Sequence, residues 1–110
     1  MDFKLTLRLV FSDSERSVGL GRGVVRLLEA VAETGSLNAA ARGMGMAYSR
    51  AWTLIRSVEG ELGCNLLSRD GARGSTLTAQ AESLLSVYHE ALDAARGAAS
   101  GVLDKYRLDI

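Results

Sequence analysis

The sequence predicts a mainly α-helical domain with a small β component. Apolar residues recur every three or four positions over residues 22–62 and again over 78–103, as in helices that bury one face. Two stretches instead favour strands: residues 3–11 alternate apolar and polar side chains, and two short strand-like pieces flank a glycine-containing loop at 70–74. With 110 residues, 47% of them hydrophobic, the chain is long enough for one domain with its own core and too apolar for disorder.

The N-terminal stretch is predicted to be a half-buried strand. Its apolar side chains fall on one face and its polar ones on the other, from Phe3 to Phe11. The polar, glycine-rich segment from Ser12 to Gly23 is predicted to be a loop that leads into the first helix. Its glycine spacing matches neither the dinucleotide-binding nor the Walker pattern, so it does not indicate a phosphate site.

Three helices are predicted to follow, joined by short turns. The first covers about Arg22 to Glu33 and stops at Gly35, because glycine readily adopts the left-handed backbone of a helix end. Ser36 caps a very short, alanine-rich second helix, about Leu37 to Met44. A tight glycine turn leads to a third helix, about Ala47 to Leu62.

The remaining elements are a hairpin and a long helix. The hairpin, or wing, surrounds the loop at 70–74, and the last helix runs from Thr78 to about Leu103. Its apolar and small positions alternate steps of four and three, which predicts a seam for pairing with a second copy. The seam consists of Ala81, Leu85, Tyr88, Leu92, Ala95, Ala99 and Val102. An alternative is that the first half packs on the first helix and the rest frays.

Together these elements predict a winged helix-turn-helix with an N-terminal strand, a two-stranded wing and a long C-terminal dimerisation helix. Residues 1–77 form the DNA-binding domain in this interpretation, and residues 78–110 form the linker or dimerisation helix and tail.

Charge is unevenly distributed along a chain whose formal net charge is zero. No acidic residue occurs between Glu33 and Glu59, a window that contains Arg42, Arg50 and Arg56. From residue 82 onward acidic residues outnumber basic ones. DNA binding depends on where charge is placed rather than on its total, so the window is compatible with a phosphate partner. An ordinary solvated helix face explains it equally well.

Several function classes find little support. A lone Cys64 and a lone His89 provide no metal-ligand set, and we expect the first to be a small packed residue and the second a surface position. A nucleophile–base–acid set cannot be assembled around one histidine, so an enzyme is not expected, and neither is a cofactor. Two acidic pairs, Glu29 with Glu33 and Glu59 with Glu61, are interpreted as solvated surface charge. The N-terminal apolar run is too short to span a membrane or to act as a secretion signal, which predicts a cytoplasmic protein.

Two stretches resemble the helix-turn-helix of LysR-type regulators: residues 35–46, GSLNAAARGMGM, and residues 61–69, ELGCNLLSR. Residues 77–81, LTAQA, resemble the start of their linker helix. The chain is more similar still to the N-terminal DNA-binding domain of ModE-type, molybdate-responsive regulators, through the N-terminal strand, LGRG at 20–23 and MGMAYSRAW at 44–52. The wing is shorter than is usual in ModE-type domains. Nothing here corresponds to their oxyanion-binding domains, so no small-molecule effector is expected from this chain.

The predicted fold assigns roles in DNA binding to individual residues. The N-terminal part of the third helix enters the major groove, and the start of the second helix faces phosphates. Expected base contacts are Ala47, Tyr48, Ser49, Arg50 and Thr53. Expected contacts to the DNA backbone are Ser36, Asn38, Arg56, Arg69 and Arg73. The predicted partners are therefore double-stranded DNA and a second copy of the chain.

The sequence leaves two questions open, the position of Trp52 and the kind of partner that the domain binds. Trp52 lies one position from the buried stripe of the third helix; we expect it in the core, and the alternative is that it borders the DNA surface. The zero net charge also allows an interaction module that kept the winged fold but binds protein instead of an operator.

Overall fold

The structure is a computed structural model that describes residues 2–12, 17–69 and 74–106. Within these ranges the chain forms two small antiparallel sheets and four helices, so the predicted fold class is confirmed. The strands are β1 (Leu9–Ser12), β2 (Ser17–Leu20), β3 (Leu67–Arg69) and β4 (Ser75–Leu77). The helices are α1 (Arg22–Thr34), α2 (Leu37–Gly43), α3 (Tyr48–Leu62) and α4 (Ala79–Tyr106).

Two glycines and a serine cap mark the end of α1, the start of α2 and the turn into α3, where the sequence predicts them. Gly35 has a φ of 79° and its N–H donates to the Val31 carbonyl, so the helix α1 closes in a left-handed turn. The Ser36 hydroxyl accepts a hydrogen bond from the Ala39 N–H at 3.0 Å, which caps α2. Gly45, with a φ of 66°, makes the turn into α3.

The core lies between α1, α2 and α3. The helix α1 contributes its whole apolar stripe, the small side chains of α2 allow close approach, and α3 adds one face. The buried residues of these helices include Val24, Val25, Leu27, Leu28, Val31, Leu37, Ala40, Ala41, Ala51, Ile55 and Val58. Leu20 and Leu66 are also fully buried in this core.

The wing is held to the end of α1 by its backbone. Strands β3 and β4 pair with Leu67 opposite Leu77 and Arg69 opposite Ser75. The Ser75 N–H donates to the Gly35 carbonyl at 2.9 Å. Gly74, with a φ of 110°, sits so close to that carbonyl that a Cβ there would collide with the Gly35 oxygen. These contacts dock the start of β4 against the end of α1.

The N-terminal region differs from the prediction. Only Leu9–Ser12 is a strand, and its partner β2 lies inside the segment predicted to be a loop. Residues 2–8 have no strand partner, yet their exposure still alternates, with Phe3, Leu5 and Leu7 half-buried. The alternation thus reported burial correctly, but a strand also requires a neighbour for its backbone, and pattern alone does not show one.

The helix α4 begins beside the wing and extends well past the core. The Thr78 hydroxyl accepts from the Ala81 N–H at 3.2 Å, so Thr78, where the sequence predicts that the helix begins, is its N-cap. Tyr88 is only 4% exposed, and its hydroxyl donates to the Leu7 carbonyl at 2.9 Å. The predicted seam is therefore wrong at Tyr88, because this side chain is already packed into its own domain.

The seam is wrong at Ala81 as well, which is 0% exposed and packed into the same core, whereas the remaining seam positions are less covered. Leu85 and Leu92 are half-buried against the core of the same chain, whereas Val102 is 57% exposed. No helix in the described part of the chain is long and apolar enough to cross a membrane.

Candidate nucleic-acid interface

The helix α3 divides into a buried and an exposed face. Ala51, Ile55 and Val58 are at most 5% exposed and hold the helix against the core. The residues predicted to touch bases lie on the open side or at its beginning: Ala47, Tyr48, Ser49, Arg50 and Thr53 are all exposed. These five side chains are thus all accessible at the N-terminal half of α3.

The helix α2 comes directly before α3 in the chain, and its start is the second region predicted to contact DNA. Asn38 is exposed, while Ser36 is half-buried and its oxygen is occupied by the cap to Ala39. The Ser36 hydroxyl can still donate its own hydrogen, and the first turn of α2 carries no acidic residue. An anion approaching this turn therefore meets donors and no opposing charge.

Trp52 belongs to the exposed surface, so the prediction that it lies in the core is wrong. It is 37% exposed, and the Arg56 guanidinium lies 5.4 Å from the centre of its ring. The reason is the position of the buried stripe, in which small Ala51 faces the core. The next residue along a helix is rotated by about 100°, which carries the indole to the outside.

The Arg56 side chain lies next to a buried carboxylate, that of Glu59. Glu59 is 8% exposed, and its Oε2 accepts from the Leu66 N–H at 2.7 Å and from the Leu67 N–H at 3.3 Å. Its Oε1 lies 3.6 Å from Nη1 of Arg56, whose side chain is 57% exposed. The interpretation of Glu59 as solvated surface charge is therefore wrong. Its spacing of four residues from buried Ile55 is the sequence signal that places it on the inner face.

A protein-family model described as bacterial regulatory helix-turn-helix protein, lysR family, matches residues 24–82, just over half of the chain. The match covers α1 to the beginning of α4 and includes the whole surface described above. The chain belongs to the LysR family.

Relatives and solved structures agree with this assignment. The molybdenum transport protein ModE of Herbaspirillum seropedicae is 41% identical over 68 residues, which are 58% of this chain and 25% of that protein. The chain thus spans about a quarter of the length of this relative. The DNA-binding domain of CbnR, solved as a DNA complex, has a TM-score of 0.62 and 25% identity, with 79% of this chain and 99% of that one covered. The DNA-binding domain of BenM in complex with catB site 1 DNA has a TM-score of 0.58 and 26% identity over 74% of this chain and 86% of that one. The chain is thus a winged helix-turn-helix DNA-binding domain of LysR and ModE type, from a transcriptional regulator.

Within this LysR-type domain, the remaining predicted contacts are Arg69 and Arg73. Arg69 is the last residue of β3, and the structure does not describe its side chain. Arg73 lies in 70–73, outside the described residues. His89 is on the surface, as expected, and its Nε2 lies 2.6 Å from Oε1 of Glu29, which ties α4 to α1. Among the described residues, no group of three or more histidine, cysteine or acidic side chains is arranged to hold a metal.

Proposed function

We propose that this chain is a sequence-specific regulator that binds double-stranded DNA as a homodimer, with the exposed side of α3 in the major groove. One observation carries the proposal. Five side chains at the start of α3, between Ala47 and Thr53, are exposed, while the opposite face of the helix is buried in the core. A rigid helix with an accessible polar edge is what readout of base edges requires. The two solved domains named above were captured with DNA, which supports the same use of this surface.

Arg50 is the residue we propose as the main reader of bases. It is exposed in the first turn of α3, where a long side chain reaches the floor of the groove. An arginine can donate two hydrogen bonds to guanine O6 and N7, which discriminates by about 1–3 kcal/mol against other bases. Tyr48, Ser49 and Thr53 surround it and suit contacts to sugars, phosphates or thymine methyl groups, and Ala47 allows close approach.

The contacts proposed to fix the register of the protein on DNA lie around this centre. Asn38 and Ser36 at the start of α2 suit one phosphate strand, and Arg56 at the far end of the exposed surface suits another. Arg69 and Arg73 would approach from the wing. These contacts read no base edge themselves. They set the register in which α3 meets the bases, so misplacing one weakens specific binding more than general binding, and they make binding sensitive to salt.

Pairing of two copies is proposed to occur through the outer part of α4. The helix is 28 residues long, and Leu92 is the last of its residues that packs against the core. Arg96, one turn later, still contacts the Phe3 ring of the N-terminal segment, and the helix then extends past it. Of the predicted seam, Ala95, Ala99 and Val102 lie in this outer part, beyond Leu92, and Leu85 and Leu92 lie at its base. Val87, at 51% exposed, adds an apolar side chain on α4 that the core does not cover.

The proposal is tested with three variants and one selected DNA. The chain is first used to select its tightest duplex from a random library, and affinity is then measured for that duplex and for a scrambled duplex of equal length. Arg50→Ala should weaken binding to the selected duplex by roughly 5- to 150-fold, the equivalent of the discrimination expected from one bidentate contact. Arg50→Lys, which keeps the charge, should lose most of the preference between the two duplexes.

Arg26→Ala is the matched control. Arg26 is exposed on α1, where it lines a cleft with the N-terminal segment and α4 rather than the α3 surface. Its loss should change affinity for the two duplexes equally and slightly. Equal behaviour of Arg50→Ala and Arg26→Ala would remove α3 as the reading helix. Failure of the parent chain to bind any duplex at low salt would favour the protein-interaction module instead.

A further inference from the structure

We infer that Glu59 is a positioning residue for DNA recognition, which fixes Arg56 and the base of the wing relative to each other through one carboxylate. The inference rests on the proposed function, because it concerns how the DNA-contacting surface is held in shape. Glu59 itself does not reach that surface, since it is 8% exposed.

The two oxygens of the Glu59 carboxylate face different parts of the structure. Oε2 accepts from the consecutive N–H groups of Leu66 and Leu67, at 2.7 and 3.3 Å. These residues end the loop after α3 and begin β3, so this oxygen anchors the wing. Oε1 points instead to Nη1 of Arg56 at 3.6 Å.

Arg56 is held from two sides and remains open on a third. The Trp52 ring lies 5.4 Å from its guanidinium carbon, and the carboxylate lies on the other flank of the same recess, which Trp52, Arg56 and Glu59 line together. An arginine carries five N–H donors in a planar fork, and one ion pair leaves most of them available. With 57% of the side chain exposed, those donors are accessible to a phosphate.

The burial of Glu59 makes this arrangement stiff. A carboxylate that is nearly out of water is screened much less than a surface one, so its attraction for Arg56 is stronger than that of an exposed i, i+3 pair. Freezing a long side chain before binding removes part of the entropy that binding otherwise costs. Because the pair is close to neutral as a unit, Arg56 contributes direction to DNA binding more than it contributes net charge.

A double-mutant cycle with the selected and scrambled duplexes tests the inference. Glu59→Gln keeps an oxygen for the Leu66 N–H and removes the charge that holds Arg56. We expect about a ten-fold loss of affinity for the selected duplex and a change within about two-fold for the scrambled one, so that specificity falls while general affinity persists. In an Arg56→Gln background, Glu59→Gln should add less than about two-fold, since the residue it positions is gone. Glu33→Gln, which removes an exposed acid at the end of α1, should affect neither duplex.

The cycle separates this inference from the proposed function and from a loss of folding. Partial unfolding would lower the active fraction and weaken both duplexes equally in both backgrounds, and a thermal melt of each variant measures it directly. A Glu59→Gln effect of equal size with and without Arg56, or an equal effect on both duplexes, would overturn the positioning role. A parent chain that selects no duplex at all would overturn the proposed function instead.

Discussion

Tyr88 lies in α4, and its side chain packs into the core of its own domain. Its spacing from Leu85 and Leu92 fits a seam between two copies, and the same spacing fits a helix that packs on its own domain. Periodicity identifies an apolar face without naming what covers it. Trp52 and Glu59 lie at the edge of the buried stripe of α3, where a shift of one residue along the helix decides whether a side chain is buried or exposed. The apolar Trp52 is exposed and the charged Glu59 is buried. The sequence therefore predicted which α3 side chains are exposed and available to contact DNA. It did not predict the exposure of Trp52 or the burial of Glu59, the two residues that flank Arg56.

Removing the Tyr88 hydroxyl should destabilise the domain. Tyr88→Phe deletes the donor to the Leu7 carbonyl and leaves the ring in place, and such a hydrogen bond contributes about 0.5–1.5 kcal/mol. Thermal unfolding should therefore shift down by a few degrees. Tyr106→Phe is the matched control, since Tyr106 is 66% exposed at the end of α4 and its variant should melt like the parent. Identical melting of both variants would mean that the N-terminal segment is not held by this bond.

At the level of elements, the helix boundaries were the most predictable feature. Gly35, Ser36 and Gly63 end or begin helices where local backbone chemistry requires them, and such signals are contained in a few adjacent residues. The β1–β2 hairpin was missed because β2 lies in a short glycine-containing stretch with little apolar pattern. Its assignment depends on pairing with β1, which no local signal reports.

Two glycine-to-alanine changes should act in opposite directions. Gly74→Ala would push a methyl group into the Gly35 carbonyl at a backbone φ of 110°, so the wing must move and stability should fall by more than 1 kcal/mol, on the order of other strained positions. Gly60→Ala lies inside α3, where the new methyl meets nothing, and should gain roughly 0.5–1 kcal/mol. Chemical denaturation of both variants measures the two signs. A tolerated Gly74→Ala would contradict the close docking of the wing to α1.

Loss of the Ser36 cap tests how much the start of α2 contributes to stability. Ser36→Ala removes the oxygen that accepts the Ala39 N–H and should cost about 1 kcal/mol of unfolding free energy. Ser86→Ala, at an exposed position within α4, is the control and should be neutral or slightly stabilising. If the two serine variants unfold alike, the N-cap makes no net contribution to the placement of α2.

The whole molecule is elongated for its size. Its radius of gyration is 16.5 Å, compared with about 13 Å for a compact domain of roughly 100 residues. The excess comes from α4, whose last turns extend past the core and expose Val102 and Tyr106. A projecting helix with uncovered apolar side chains is suited to contact with another chain, and this supports the proposed homodimer.

Charge placed on the outer part of α4 should prevent pairing. We expect the parent chain to sediment as a dimer, and Val102→Asp to shift it toward the 11.7 kDa monomer because an aspartate would be buried without a partner. Ser86→Asp adds the same charge at an exposed α4 position that lies outside the predicted seam, and it should leave the dimer intact. A Val102→Asp chain that stays dimeric would place the pairing surface elsewhere.

The fluorescence of Trp52 during a DNA titration tests whether the exposed side of α3 lies against DNA. Trp52 is the only tryptophan of the chain and lies on the exposed side of α3, so its emission reports on that surface alone. Binding of the selected duplex is followed in parallel by the anisotropy of a label on the DNA. We expect a saturable change in Trp52 emission and reduced quenching by acrylamide at the same midpoint as the anisotropy change. A duplex that binds by anisotropy while Trp52 emission and quenching stay constant would contradict the placement of α3 against DNA.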